Sequence, residues 1–166
     1  MNIRHMKIIV LCTIALYFTF LVFNDFTNLD SNFKSLKSVF EMEGVFDTHL
    51  ISWRAISNTP IQKGAFFFLI AWQILTALLC WGGSLVMFKN IHADHEKFSE
   101  SKKIALAGLT AGFLFFMIGF VIIGSEWFNM WQSMWKNLQL KTLVYSILLL
   151  GCMIFVSTKE EEKERV

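Results

Sequence analysis

Long apolar stretches separated by shorter polar segments form the dominant pattern of this chain. The clearest stretch is residues 104–123, which hold twenty consecutive residues without a charged side chain. A helix of this length crosses the roughly 30 Å hydrocarbon core of a membrane. Similar stretches occupy residues 8–23, 64–88 and 140–156. The pattern therefore predicts an all-α integral membrane protein, built as an antiparallel bundle of four transmembrane helices.

The chain is predicted to be a single four-span domain over residues 1–166, because no internal repeat or second domain is visible. The segments between the spans differ in basic charge. Residues 1–7, 89–103 and 157–166 hold 9 Lys or Arg in 32 positions, whereas residues 24–63 and 124–139 hold 5 in 56. Positive charge favours the cytoplasmic side of a membrane. We therefore expect both termini and the 89–103 loop in the cytoplasm, with 24–63 and 124–139 as outer loops.

The longer outer loop has a helical pattern of its own. Apolar residues recur at helical spacing from Phe33 to Phe40, and Gly44 is a natural helix stop. This spacing predicts a short amphipathic helix that lies on the membrane surface or over the bundle. A second short helix is predicted at residues 48–57, which include Trp53 and Arg54.

Composition narrows the classes of function. The chain is 55% hydrophobic with a net charge of +2, which excludes a disordered chain and gives no electrostatic case for nucleic-acid binding. All four histidines lie outside the spans, so no intramembrane pair can ligate haem. His92 and His95 are too few ligands for a closed zinc site. We expect no cofactor and no metal site, and the charge-dense residues 159–165 to form a solvated tail.

Small residues share one face of the third span. They are Ala105, Gly108, Gly112 and Gly119. Small side chains let helix backbones approach closely in lipid. We expect this face to pack inside the bundle, and a homodimer through Gly108 and Gly112 is the alternative.

Polar residues mark a face on each of the first two spans. Gln73 and Thr76 share a face of the second span, and Thr13 and Tyr17 line up on the first. A buried amide in hydrocarbon needs a hydrogen-bond partner. Either the two faces meet and satisfy each other, or they line a small-molecule pocket.

A third candidate region, which we call the tryptophan collar, gathers polar and indole side chains at the outer ends of the spans. We expect Arg54 to pair with Glu126 between tryptophan rings. Three interpretations stay open: an interfacial aromatic belt fixed by that ion pair, a binding site for a lipid head group, quinone or small anion, and a catalytic site. The collar comprises Asp25, His49, Trp53, Arg54, Glu126, Trp127, Trp131, Gln132 and Trp135.

Four sequence blocks carry a family resemblance. Asn24-Asp25-Phe26-Thr27-Asn28 follows the first span, and Trp53-Arg54-Ala55-Ile56 precedes the second. Ala71-Trp72-Gln73 and Ala77-Leu78-Leu79-Cys80-Trp81 lie within the second span, and Glu126-Trp127-Phe128 with Met130-Trp131-Gln132-Ser133 follows the third. In this order the blocks resemble the bacterial family of predicted small integral membrane proteins, a family of unknown function. The resemblance implies a four-helix protein of the bacterial inner membrane. It brings no activity, substrate or catalytic residue, and the family often has Glu where this chain has Gln73.

The leading interpretation is a non-catalytic accessory or scaffolding protein that binds another membrane component through the tryptophan collar. That component is either membrane lipid or another membrane protein. The first alternative is a binding or transport module for a lipid, quinone or small anion, which would need a cavity near Thr13, Tyr17 and Gln73. The second is an enzyme that modifies a lipid at the outer face. It would need Glu126 or His49 accessible in a cleft, with a second polar group within hydrogen-bond reach.

Overall fold

The computed structural model describes residues 2–45 and 50–160, and in this part of the chain helices are joined by short turns, without a β-strand. Its α-helices are α1 (Ile3–Thr27), α2 (Leu29–Phe40), α3 (Thr59–Lys89), α4 (His95–Phe116) and α5 (Lys136–Ser157). A π-helical segment, Met117–Trp127, continues α4, and short 3-10 helices occupy Ser52–Arg54 and Met130–Gln132.

Within residues 2–45 and 50–160, four helical stretches are long and apolar enough to cross a membrane. They are α1, α3, α5 and the continuous stretch His95–Trp127. The predicted all-α fold with four membrane-spanning helices is therefore confirmed. The helices extend beyond the uncharged stretches because polar residues cap their first turns: Asn2, Asn58 and Asp94 each accept a hydrogen bond from a backbone N–H one turn into α1, α3 and α4.

Close packing of small residues joins α3 to α4. A Cβ added at Gly83 would lie 2.6 Å from the backbone of Ala105, and one at Gly108 would lie 2.8 Å from Cys80 Sγ. Gly112 receives the ring of Phe18 from α1, at 3.0 Å from its notional Cβ. The predicted small-residue face thus packs against helices of the same chain, because only glycine leaves room for them. A homodimer through Gly108 and Gly112 would require this packing to open.

Gly119 is the exception on this face. The nearest atom to its notional Cβ is Leu69 Cδ2, at 3.8 Å. Gly119 lies in the π-helical segment, and the bundle is packed less tightly around it than around the other glycines of this face.

One end of the bundle, which we call the terminal end, is closed by buried charges. The Glu160 carboxylate lies 2.6 Å from Lys7 Nζ and 2.7 Å from Lys102 Nζ, and all three side chains are at least 95% buried. Both ammonium groups also donate to the carbonyl oxygen of Thr158. Glu160 therefore joins α1, α4 and the end of α5, and the expectation of a solvated tail is wrong at this residue. Residues 161–165 of the predicted tail lie outside the described residues.

Arg4 makes a second connection at the terminal end. Its guanidinium donates to the carbonyl oxygens of Ile91 and Ala93 and lies 4.5 Å from the centre of the Phe98 ring. These carbonyls follow the end of α3, where the helix dipole favours a cation. The N-terminal turn of α1 is therefore fixed to the α3–α4 connection.

The opposite end, which we call the loop end, is covered by α2. Phe33 of α2 packs against Phe66 of α3, and Phe40 stacks on Phe128 with ring centres 4.8 Å apart. α2 ends at Phe40, earlier than the stop predicted at Gly44, which adopts a φ of +74° in the turn after the helix. The amphipathic helix thus lies over the bundle.

The chain returns towards α3 through a short turn. Ile56 N–H donates to the carbonyl of Phe40, and the Gln62 amide donates to Ile56 O and to Glu41. The helix predicted at residues 48–57 is not continuous, since among residues 50–57 the chain is 3-10 helical at Leu50 and at Ser52–Arg54 and has no α-helix. Residues 48 and 49 lie outside the described residues.

The contact between α3 and α4 can be tested by adding one methyl group. We expect Gly83→Ala to destabilise the protein by about 1–3 kcal/mol, because the new Cβ overlaps the Ala105 backbone and the helices must separate. The midpoint of thermal unfolding in detergent measures the effect. Gly151→Ala is the matched control, since no atom lies within 4 Å of its notional Cβ. Equal melting temperatures for the two variants would contradict the contact.

The charged cluster at the terminal end predicts a pH dependence. Burial by itself raises the pKa of Glu160, but hydrogen bonds from Lys102 and Lys7 and their charges outweigh it, so the pKa lies below its ordinary value of 4.5. A carboxyl with a lowered folded-state pKa stabilises the fold above the unfolded-state pKa, and this contribution is lost as the pH falls through the folded-state value. Wild type should therefore lose stability on acidification below 4.5 to a greater extent than Glu160→Gln.

At neutral pH, Glu160→Gln should itself cost on the order of 3 kcal/mol, because two buried ammonium groups lose their counter-charge. Glu100→Gln is the control, since its partner Lys103 is exposed and a surface pair contributes little. Identical melting curves for wild type and Glu160→Gln at both pH values would refute the role of the cluster.

Candidate functional site

A cavity of about 280 Å³ lies beneath α2 near the loop end of the bundle. Its walls come from α1, α2, α3, α5 and the region where α4 becomes π-helical. Most of the lining is Leu, Ile, Val and Phe. The polar lining residues are Tyr17, Asp25, Asn32, Ser35, Gln73, Trp135, Thr142 and Tyr145.

The backbone of the π-helical segment explains why space is left on that side of the cavity. Residues Met117–Trp127 form a π-helix, in which Phe128 N–H donates to Ile123 O, five residues back. Gly119 contributes no side chain to the cavity, and neighbouring Phe120 and Gly124 also line it. Such wide turns within helices are frequent at functional sites. The cavity thus follows from a local change of helix type beside a residue without a side chain.

Asp25 and Gln73 form a polar corner in this otherwise apolar cavity. Asn32 Nδ2 donates to Asp25 Oδ1 at 2.8 Å, which links α2 to the end of α1. Gln73 is 94% buried, and its Oε1 has no hydrogen-bond partner among residues 2–45 and 50–160. The two side chains come from α1 and α3 and both line the cavity, and the Gln73 amide lies within hydrogen-bond reach of the Asp25 carboxylate.

The unpartnered oxygen of Gln73 is energetically unfavourable. A buried acceptor without a donor costs about 1–3 kcal/mol, and native proteins seldom leave one unsatisfied. Because this oxygen is buried in the cavity wall, a hydrogen-bond donor on a molecule inside the cavity would remove the penalty once the Gln73 side chain rotates towards it. Gln73 therefore marks the position where a polar group of a ligand would bind.

Aromatic rings form the side of the cavity across from α2. The ring of Tyr17 lies 5.4 Å from that of Tyr145, which lies 5.4 Å from Phe116. Phe115 and Phe120 extend this cluster along α4 and the π-helical segment. The cavity therefore combines one carboxyl group, one unpaired amide oxygen and several ring systems.

The polar faces of the first two spans are only partly brought together. Tyr17 and Gln73 both line the cavity. Thr13 is exposed on α1, and its hydroxyl donates to Val10 O within the same helix. Thr76 is buried, donates to Trp72 O and packs near Gly112. Two of the four residues thus contribute to the cavity, while the two threonines satisfy themselves within their own helices.

The tryptophan collar does not form one site. Asp25 and Trp135 line the cavity, and Trp135 Nε1 donates to Ser38 of α2. Trp131 is exposed, and Gln132 lies beside it in the 3-10 turn. His49 lies outside the described residues.

The rest of the collar lines a second cavity of about 550 Å³ around Arg54. Trp53 and Trp127 pack edge to face there, with ring centres 5.7 Å apart. The Arg54 guanidinium lies within 6.0 Å of both ring centres. Trp127 Nε1 in turn donates to the backbone carbonyl of Arg54.

The prediction of an ion pair between Arg54 and the Glu126 carboxylate is wrong, because Arg54 bonds to the Glu126 backbone instead. Arg54 Nη1 donates to the backbone carbonyl oxygen of Glu126 at 3.3 Å, and the Glu126 side chain is exposed. The two residues do meet, but no carboxylate–guanidinium bridge joins them in the described part of the chain. Arg54 is held by a peptide group and two indole rings.

Several cavity residues were not singled out from the sequence. Asn32, Thr142 and Tyr145 are polar positions on α2 and α5, and only tertiary packing places them beside Gln73. Asn32 follows Asp25 by seven residues, a helical spacing that could have pointed to their contact. Among the described residues, no three His, Cys, Asp or Glu side chains lie close enough together to hold a metal ion.

Two variants distinguish a hydrogen bond from Arg54 to the Glu126 backbone from an ion pair with the Glu126 side chain. Arg54→Ala should lower the melting temperature, because it removes the bond to Glu126 O and the contacts with both indole rings. Glu126→Ala keeps that carbonyl and should change stability by less than about 0.5 kcal/mol. Thermal unfolding in detergent measures both variants. An equal loss of stability in the two variants would instead support an ion pair between Arg54 and the Glu126 side chain.

Comparison with known proteins identifies a family. The profile of the family described as predicted small integral membrane protein (DUF2165) matches residues 3–159. Neither the curated proteins nor the solved structures contain a match. Since the matched region covers nearly the whole chain, including all four spans, the protein belongs to this family of predicted small integral membrane proteins.

Proposed function

We propose that this protein is a non-catalytic binding module that holds a small amphipathic molecule in the cavity beneath α2. The observation that carries the proposal is the unpartnered Oε1 of Gln73, buried in the wall of that cavity. A structural bundle alone gives no reason to keep a buried acceptor beside an open space. A bound molecule with a hydrogen-bond donor does.

The size and lining of the cavity limit the kind of molecule. Its volume of about 280 Å³ lies just below the usual range of small-molecule sites, roughly 300–1,000 Å³. The lining is predominantly apolar, with polar groups gathered at one corner. Ligand sites commonly combine apolar walls with a few polar groups that fix orientation. A slender lipophilic molecule with one polar end matches this arrangement.

A second candidate is the accessory role, in which the protein binds another membrane component through its loop end. Exposed apolar side chains there support it: Leu50 is 85% exposed, Met134 75% and Trp53 69%. Clustered exposed apolar residues mark protein or membrane contacts. The two roles are compatible, since the surface and the cavity involve different side chains.

Catalysis receives less support from the geometry. Glu126 is exposed, but the nearby Arg54 guanidinium is directed to its backbone carbonyl, away from any shared reaction centre. His49 lies outside the described residues. An enzyme acting on a lipid at the outer face is therefore the third choice.

We also infer a location in a bacterial inner membrane with both termini in the cytoplasm. The concentration of Lys and Arg in residues 1–7, 89–103 and 157–166 supports this orientation. The cavity beneath α2 would then lie near the outer face.

Filling the cavity tests the proposal. Gly119→Leu places a side chain in the cavity, and we expect it to abolish co-purification of a small lipophilic compound that wild type retains. Mass spectrometry of the protein extracted in mild detergent measures the compound. Gly151→Leu is the control, because it adds the same side chain at a position with no neighbouring atom within 4 Å. The same small-molecule content in all three proteins would overturn the proposal.

A further inference from the structure

We propose that the polar end of the bound molecule is a positively charged amine, so that the cavity selects lipophilic amines. This inference rests on the proposed binding function and specifies its ligand class. The positions of Asp25, Gln73 and the aromatic rings carry it.

The polar corner offers hydrogen-bond acceptors in excess of donors. Asn32 occupies one oxygen of the Asp25 carboxylate, and the Asn32 amide also approaches the backbone carbonyl of Asn24. Gln73 adds an acceptor with no donor within the described chain. A ligand that brings N–H groups satisfies both side chains at once, because an ammonium has donors in several directions.

The charge of the residues that line the cavity favours a cationic amine over a neutral hydrogen-bond donor. No Lys, Arg or His is present among the described residues that line the cavity, and Asp25 takes part in none of the ion pairs formed within residues 2–45 and 50–160. A partly buried carboxylate in a membrane protein is unfavourable without a counter-charge. A cationic ligand supplies that charge, which an alcohol does not.

The aromatic side of the cavity favours the same charge. Tyr17, Phe116 and Tyr145 line the cavity together with Asp25. The face of an aromatic ring carries partial negative charge and attracts ammonium groups, more strongly where water is excluded. One cation can therefore interact with the carboxylate, the amide oxygen and the rings.

The same groups disfavour the anions and quinones considered from the sequence. A phosphate or carboxylate head group would be repelled by Asp25. The carbonyl oxygens of a quinone are acceptors and would leave Gln73 Oε1 without a donor. Anions thus lack the positive charge, and quinones the hydrogen-bond donor, that the polar corner requires.

Decylamine and 1-decanol are the probes for this inference, since they share a ten-carbon chain and differ in the head group. Each is titrated into the protein in lipid nanodiscs at pH 7, with the melting temperature as readout. We expect wild type to bind decylamine at least about tenfold more tightly than 1-decanol, which corresponds to about 1.4 kcal/mol. Asp25→Asn keeps the side-chain shape and should abolish this preference. Asp30→Asn, at an exposed position in the first turn of α2, should retain it.

Gly119→Leu separates binding in the cavity from effects of the amine on the lipid. It should show no saturable response to either probe. If 1-decanol binds wild type as tightly as decylamine, or if Asp25→Asn keeps the preference, the amine class is wrong and the binding function stands. If neither probe distinguishes wild type from Gly119→Leu, the binding function fails as well.

Discussion

The close approach of α3 and α4 is the constraint on which the remaining structure depends. Gly83 meets the Ala105 backbone, and Gly108 meets both the backbone N and the Sγ of Cys80, so the two helices approach almost to backbone contact. In lipid no hydrophobic effect drives helices together, and dispersion between closely packed backbones must take its place. Phe18 of α1 then fits against Gly112. The contact fixes three of the four spans relative to one another.

The packing loosens where this glycine face ends. Beyond Phe116 the helix widens into its π-helical segment, and Gly119 no longer has a helix directly against it. The bundle is therefore tight at its centre and open beneath α2. The cavity begins where the close packing against these glycines ends. α2 covers it through Phe33 and Phe40.

Much of the fold could be predicted from the sequence, because span length and hydrophobicity are local properties of the chain. The glycine face and the amphipathic α2 were also visible as helical periodicities. Glu160 was not, since its partner Lys7 is 153 residues away and its neighbours suggest a solvated tail. Spacing likewise indicated that Arg54 and Glu126 would meet, but could not show that a backbone carbonyl would replace the carboxylate. The cavity was beyond prediction because its π-helical wall has no local sequence signal.

The terminal cluster has a consequence for the order of membrane insertion. Lys7 lies near the start of the first span, whereas Glu160 follows the fourth, so the two partners leave the ribosome at widely separated times. Until the fourth span has inserted, the Lys7 ammonium must be solvated by water or lipid head groups. Only then does the carboxylate become available to neutralise it. Assembly intermediates with fewer spans thus carry a Lys7 cation that no carboxylate of the chain's last segment yet neutralises.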